Sequence, residues 1–417
     1  MALPAIILAI VLVPGAPAEA EIPEAVQFNR DVLPILSDHC FKCHGPDERE
    51  RETKQRFDTR AGVERAVSKG FLVPGKPQES ELIERLTTDD QDEVMPPPSQ
   101  KSRPSPGEIA ILRRWIEQGA KWQDHWAFVA PTRPKLPSGG LLDKLENPVD
   151  RFIARKLQQA KIESGPRAGR AALLRRACLD LTGLPPSPAE REKFLLDEKP
   201  GAWERLVERL LASPRYGERL ALYWLDLVRY ADSVGYQKDS HQNIWLYRDY
   251  VIAAFNTNKP FDRFVREQLA GDLMKDPNGS AAQAAEWRIA SGFNRLNQTT
   301  SEGGAQAKEY MAKYAADRVR NTGSIFLGMT TGCAECHDHK YDPITSRDFY
   351  NFAAFFADLK ERGVAQPREV KLPTMEHILK VLPIEKELRE LKEILSGKDV
   401  KDSGEVGGRI TALEKQL

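Results

Sequence analysis

The spacing Cys-x-x-Cys-His occurs twice, as Cys40-Phe41-Lys42-Cys43-His44 and as Cys333-Ala334-Glu335-Cys336-His337, and the two copies take four of the chain's five cysteines. Scattering 5 Cys and 7 His at random through 417 residues gives on the order of 0.001 such runs, so the pair needs a chemical cause. The spacing calls for a helical turn, because positions i, i+3 and i+4 share one face there. On that face two thiols can add to the vinyl groups of one porphyrin while the histidine aims a ring nitrogen at its iron. Both copies are therefore candidate attachment sites for c-type haem. A zinc site closed by both cysteine pairs, or a dithiol redox site, uses the same residue types, but neither accounts for a histidine in both copies.

Lys plus Arg and Asp plus Glu stand at 61 each, so no bulk field gathers nucleic acid or anionic lipid. The partner expected is a redox protein recognised locally, and not a nucleic acid. Residues 2–14 are apolar and uncharged, and Ala18-Glu19-Ala20 places small residues where a signal peptidase reads, although no Lys or Arg precedes the run. Residues 1–20 are expected to be a secretory signal peptide, leaving an exported, periplasmic or extracytoplasmic protein with no membrane span. Export suits the cysteines, since thiols consumed by haem cannot form wrong disulfides. Cys178 is left as a lone small core residue.

Hydrophobic content of 41% with 29 Pro and 28 Gly predicts more than one core and many element boundaries. Asn29 and Ser80 read as helix caps. Ser105-Pro106-Gly107-Glu108 reads as a capping box opening a helix that stops at Gly119. A haem helix, a connecting segment, a methionine loop and a closing helix form the order of a small class I cytochrome c domain over 21–130. Residues 131–147 are a Pro/Gly linker. Amphipathic runs then predict a larger helical domain over 148–360, with Ser187 capping one helix, Ser213-Pro214 opening another, and the second haem motif inside it. Residues 361–417 read as a polar helical or coiled-coil tail that ends in mid-pattern, as a truncated chain would. The fold class expected is all-α.

A haem iron held by one histidine also needs a sixth ligand, and that ligand decides between electron carriage and substrate binding. For His44 the candidate is Met95, directly before Pro96-Pro97-Pro98, with His125 a weaker substitute. For His337 the sequence offers Met329, Met311 or His241, or an open position. His339 is too near to reach the far face of the same ring and reads as a partner of Asp338 or Asp342. The polar loops 232–241 and 297–304 could carry catalytic groups, yet most such residues serve turns.

At Cys40-Phe41-Lys42-Cys43-His44-Gly45-Pro46, Met95-Pro96-Pro97-Pro98, Asp180-Leu181-Thr182-Gly183-Leu184-Pro185-Pro186, Tyr247 to Ile252, Gln268 to Asp272 and Cys333 to Pro343 the chain resembles the planctomycete-type cytochrome c family. In that family a small cytochrome module precedes a larger domain of unknown function. The resemblance implies haem at Cys40, Cys43 and His44 and at Cys333, Cys336 and His337, with iron ligands His44, Met95 and His337. It carries no catalytic residue. The reading is an exported dihaem cytochrome for electron transfer. The alternatives are a haem-dependent oxidoreductase, and a binding protein whose second motif holds another metal or nothing.

Overall fold

Short polar caps ahead of apolar-periodic runs set where this chain becomes helical, and every regular element among the described residues of the computed structural model is a helix. The sole β pairing among them is an isolated bridge between Ser233 and His241. The structure describes residues 22–48, 50–100, 102–236, 239–365, 369–396 and 403–417, so the signal-peptide segment 1–20 lies outside the described residues. The all-α expectation holds. The chain divides into two compact units, one comprising Met1–Thr132 with Cys333–Tyr350, the other Arg133–Gly332 with Asn351–Leu417.

The first unit contains α1 (Leu33–His39), α2 (Phe41–His44), α3 (Arg60–Ser68), α4 (Glu81–Thr87) and α5 (Pro106–Glu117). Pro34 sits in the first turn of α1, where its missing N–H costs nothing. The capping box of α5 forms as read: Ser105 Oγ accepts from Glu108 N at 3.3 Å, and the Glu108 carboxylate accepts from Ser105 N at 2.6 Å. Gly119, at φ +100°, lets the chain turn just past the end of α5. Two caps fail. Asn29 lies inside a π turn over Phe28–Val32 and donates through Nδ2 to Asp124 O. Ser80 precedes α4, but its hydroxyl accepts from Val73 N and donates to Lys76 O, tying the preceding turn. Phe28, Leu36, Phe57, Leu72, Leu112, Trp115 and Ile116 form the core, with Phe28 stacked 4.4 Å from Trp122.

The second unit begins with α6 (Pro148–Gln159), α7 (Arg170–Thr182), α8 (Pro188–Leu196), α9 (Ala202–Leu211) and α10 (Pro214–Leu227). It continues through α11 (Trp245–Asn256), α12 (Phe261–Ala270), α13 (Ala281–Ala290) and α14 (Ala307–Thr322). After α15 (Ser346–Ala354), which crosses the unit boundary, come α16 (Met375–Ser396) and α17 (Ser403–Glu414). Ser187 and Ser213 both accept backbone N–H bonds at the starts of their helices. Helices α10 and α11 approach so closely at Gly217 that a Cβ there would lie 2.4 Å from Ile252 O. Tyr247, Tyr250, Val251, Phe264 and Ile289 form the larger core. The segment read as a polar tail supplies Met375 and Ile378 to that core. Cys178 packs with Leu174, Phe194 and Leu206, the role expected of it, and burial pushes its thiol up. Glu267 is fully buried yet satisfied by Lys259, by Arg263 Nε at 2.6 Å, Tyr250 OH at 2.8 Å and Trp287 Nε1 at 3.1 Å.

Candidate haem sites

Cys40 joins α1 to α2, and the N–H groups of Cys43 and His44 both donate to its carbonyl, at 3.2 and 2.8 Å. That turn puts Cys40, Cys43 and His44 on one face, as their spacing requires. His44 Nδ1 lies 3.0 Å from Gln55 O. A carbonyl can only accept, so the proton sits on Nδ1 and Nε2 keeps the lone pair that a metal takes. Burial lowers the His44 pKa from its usual value, which keeps the imidazole neutral, as a ligand must be. Gln55 is itself buried and held by Nε2 bonds to Arg56 O and Gly62 O, both 2.8 Å.

These residues open onto a cleft of about 540 Å³ whose lining also includes Phe57, Phe71, Leu82, Leu86 and Met95. Met95 is positioned by its own N–H, which donates to Arg85 O at 2.8 Å, and by the buried Val94 before it. The fold thus brings into one apolar cavity the two thiols, the imidazole and the thioether that the sequence singled out. Lys42 and Arg85 also line it, together with Asp38, Glu52 and Glu81, the last paired with Arg85 at 2.7 Å. Burial pushes the Cys40 thiol up to about 12, with Cys43 adding to the effect. A thiol so held is the reverse of the acidic one a dithiol redox site needs.

Sequence reasoning missed His39. Ser102 Oγ donates to its Nδ1 at 2.8 Å, and its Nε2 faces Glu108 Oε1 at 3.4 Å, so it ties α1 to the loop after Met95 and to the capping glutamate of α5. It also lines the cleft. No spacing rule marks a histidine beside a haem cysteine, so only the fold reveals it.

The second motif begins in a 3-10 helix over Thr331–Glu335 and makes a looser turn, with Cys336 N and His337 N each 3.4 Å from Cys333 O. His337 Nδ1 donates to Asp338 O at 2.8 Å, which again leaves Nε2 as the metal-binding nitrogen. Here the side chains of Cys333, Cys336 and His337 are exposed. His339 is buried, its Nδ1 accepting from Asp342 N at 2.8 Å while its Nε2 lies 3.7 Å from Asp342 Oδ2. Asp342 Oδ1 also holds His125 Nε2 at 3.1 Å. His339 is therefore a partner of Asp342, one of the two partners read for it, and His125 is engaged there while the cleft lining holds Met95. Of the other candidates, Met329 is buried, Met311 is exposed on α14, and His241 bonds Asn243 Oδ1 at 2.9 Å; all three belong to the second unit.

The segment carrying the second motif, which the sequence placed in the larger domain, groups with the first unit. Among the described residues no three His, Cys, Asp or Glu side chains converge as metal ligands, so the cysteine pairs do not assemble a four-sulfur zinc site. No helix among them is long and apolar enough to cross a membrane. In the polar loop 232–241, Asp239 accepts from Gly235 N at 2.9 Å, a turn-serving role. A smaller polar cleft of about 220 Å³ lies nearby, walled by Ser233, Gln242 and Asn297.

Comparison with known families defines the class first: residues 40–99 match the family described as planctomycete cytochrome C, a c-type cytochrome domain that carries covalent haem. Residues 148–361, half of the chain, match the family described as a protein of unknown function (DUF1549), and the chain belongs to this planctomycete cytochrome family, with the two modules in that order. No curated protein and no solved structure gives a significant match.

Proposed function

We propose that this protein is an exported dihaem cytochrome that transfers electrons. The observation that carries the reading is the cleft whose lining Met95 shares with Cys40, Cys43 and His44, 51 residues after that histidine. Cys40 and Cys43 would anchor the porphyrin through thioethers, and His44, held by Gln55, would present Nε2 to the iron. Met95 would supply the sixth ligand, while Phe57, Phe71, Leu82 and Leu86 exclude water. Bound there, haem supplies a one-electron couple whose potential a histidine–methionine pair raises. Cys333, Cys336 and His337 would hold a second haem at an accessible position. The partner is a redox protein, met outside the cytosol.

The exposure of His337 supports a second reading, in which the iron there keeps an open position and oxidises a small molecule. Absorbance of the reduced full chain, matured in a host that attaches haem, separates the two. Two low-spin covalent haems without carbon monoxide binding match electron transfer. One high-spin haem that binds carbon monoxide matches the oxidoreductase, and absence of covalent haem refutes both.

A further inference from the structure

The loop that follows the second motif is fastened to the helix that carries the first. Lys340 Nζ lies 2.8 Å from Asp38 Oδ1, and Tyr341 OH donates to the same oxygen at 3.0 Å. Ser37 Oγ donates to Lys340 O at 3.4 Å, and His125 holds Asp342. Asp38 stands two residues before Cys40, and Lys340 three residues after His337. Since an extended chain spans at most about 3.5 Å per residue and the bonded Asp38 and Lys340 side chains add roughly 13 Å, the Cα atoms of Cys40 and His337 lie within about 30 Å of each other.

Exposed ion pairs taken singly contribute little. The Asp38–Lys340 pair is about half exposed at both ends, but His125 and Asp342 add a largely buried tie. Two fastenings on one short loop thus hold the second attachment turn within the first unit.

Resting on the dihaem reading, we propose that this loop is a clamp: Asp38 fastens it to the helix that leads into the first attachment turn and Asp342 fastens it to His125, which would keep two haems in one unit, close enough to exchange electrons directly. The exposed His337 turn would then be the port to the partner, and the half-buried His44 cleft would hold the less accessible haem. With both haems bound, such an exchange would be a one-electron transfer that asks the protein's own residues only to hold the two attachment turns, with no bond made or broken and no proton taken up.

Circular dichroism in the Soret band tests it, because two porphyrins at short range give a bisignate couplet that isolated ones do not. The full chain is compared with Cys333→Ala/Cys336→Ala, with Cys40→Ala/Cys43→Ala and with Asp38→Ala/Asp342→Ala, with haem counted for each. The clamp predicts a couplet absent from the sum of the single-haem spectra. It also predicts at least a threefold smaller couplet in Asp38→Ala/Asp342→Ala while two haems and the far-ultraviolet helix signal are retained. A full-chain spectrum equal to the sum overturns the clamp and leaves the dihaem reading standing, as does an undiminished couplet in Asp38→Ala/Asp342→Ala. A wild-type count of one haem overturns the reading and the clamp together.

Discussion

The two Cys-x-x-Cys-His turns share a hydrogen-bond pattern, tighter in the α-helical first turn than in the second, and have very different surroundings. In both, the N–H groups of the second cysteine and the histidine converge on the first cysteine's carbonyl, and in both the imidazole is oriented by an Nδ1 bond to a backbone carbonyl. At His44 that carbonyl belongs to Gln55, eleven residues away and buried, and the turn opens onto an apolar cleft shared with Met95. At His337 it belongs to the next residue, Asp338, and the turn faces solvent. On the proposed reading the motif would specify attachment, while the rest of the fold would specify access to the iron and, through the other axial ligand, its potential.

Removing each turn in isolation should break the symmetry of the pair most strongly. Cys40→Ala/Cys43→Ala halves the covalent haem measured by alkaline pyridine absorbance and removes the higher-potential component from a redox titration. Cys333→Ala/Cys336→Ala also halves the haem, but removes the other component. Because those side chains are exposed, it shifts unfolding by less than about 0.5 kcal/mol in the haem-free chain. Loss of the same component in both variants would erase the distinction drawn here.

Met95→Ala sharpens the contrast at lower cost. With the sixth ligand gone, the potential of the first site falls on the order of 0.2 V, a fraction of the roughly 0.8 V over which axial ligands act. Carbon monoxide then binds there. An unchanged potential would assign the sixth position to another residue.

What the sequence revealed divides along the same line. Residues that act through local spacing were legible: both Cys-x-x-Cys-His turns, the boxes at Ser105 and Ser187, and Cys178 in the core. The place of Met95 in the cleft lining was legible because a rare residue sits against three prolines. Side chains whose role depends on distant chain were not. Ser80 and Asn29 have good cap identities, but tertiary partners at Val73, Lys76 and Asp124 take their polar groups. His39 works only because Ser102 and Glu108 come to it. The grouping of Cys333–Tyr350 with the first unit depends on contacts spanning some three hundred positions, such as Lys340 to Asp38, which no periodicity records.

Smaller effects follow from these ties. Ser105→Ala removes the cap of α5 and frees Glu108, which faces His39. It should lower stability by about 1 kcal/mol in denaturant titration and disturb the first haem more than the second. An equal disturbance at both would mean that α5 does not favour the first site. The mildest test is acid. Its bond to Lys340 holds the Asp38 carboxyl below the usual carboxylate range. The clamp's contribution is therefore present above the unfolded value, near 3.8, and is lost as pH falls through the lower folded value. The Soret couplet should hold steady from neutral pH down to about 4 and decline only below it. A decline centred near pH 6.5 would point to histidine instead.

Peptide mass spectrometry of the exported, haem-loaded chain addresses the central claim most directly. The account predicts that the peptide spanning Cys40 to His44 and the peptide spanning Cys333 to His337 each carry the added mass of one haem. Free thiols in the first peptide would contradict the cleft as a haem site, and free thiols in the second would reduce the protein to a single-haem cytochrome.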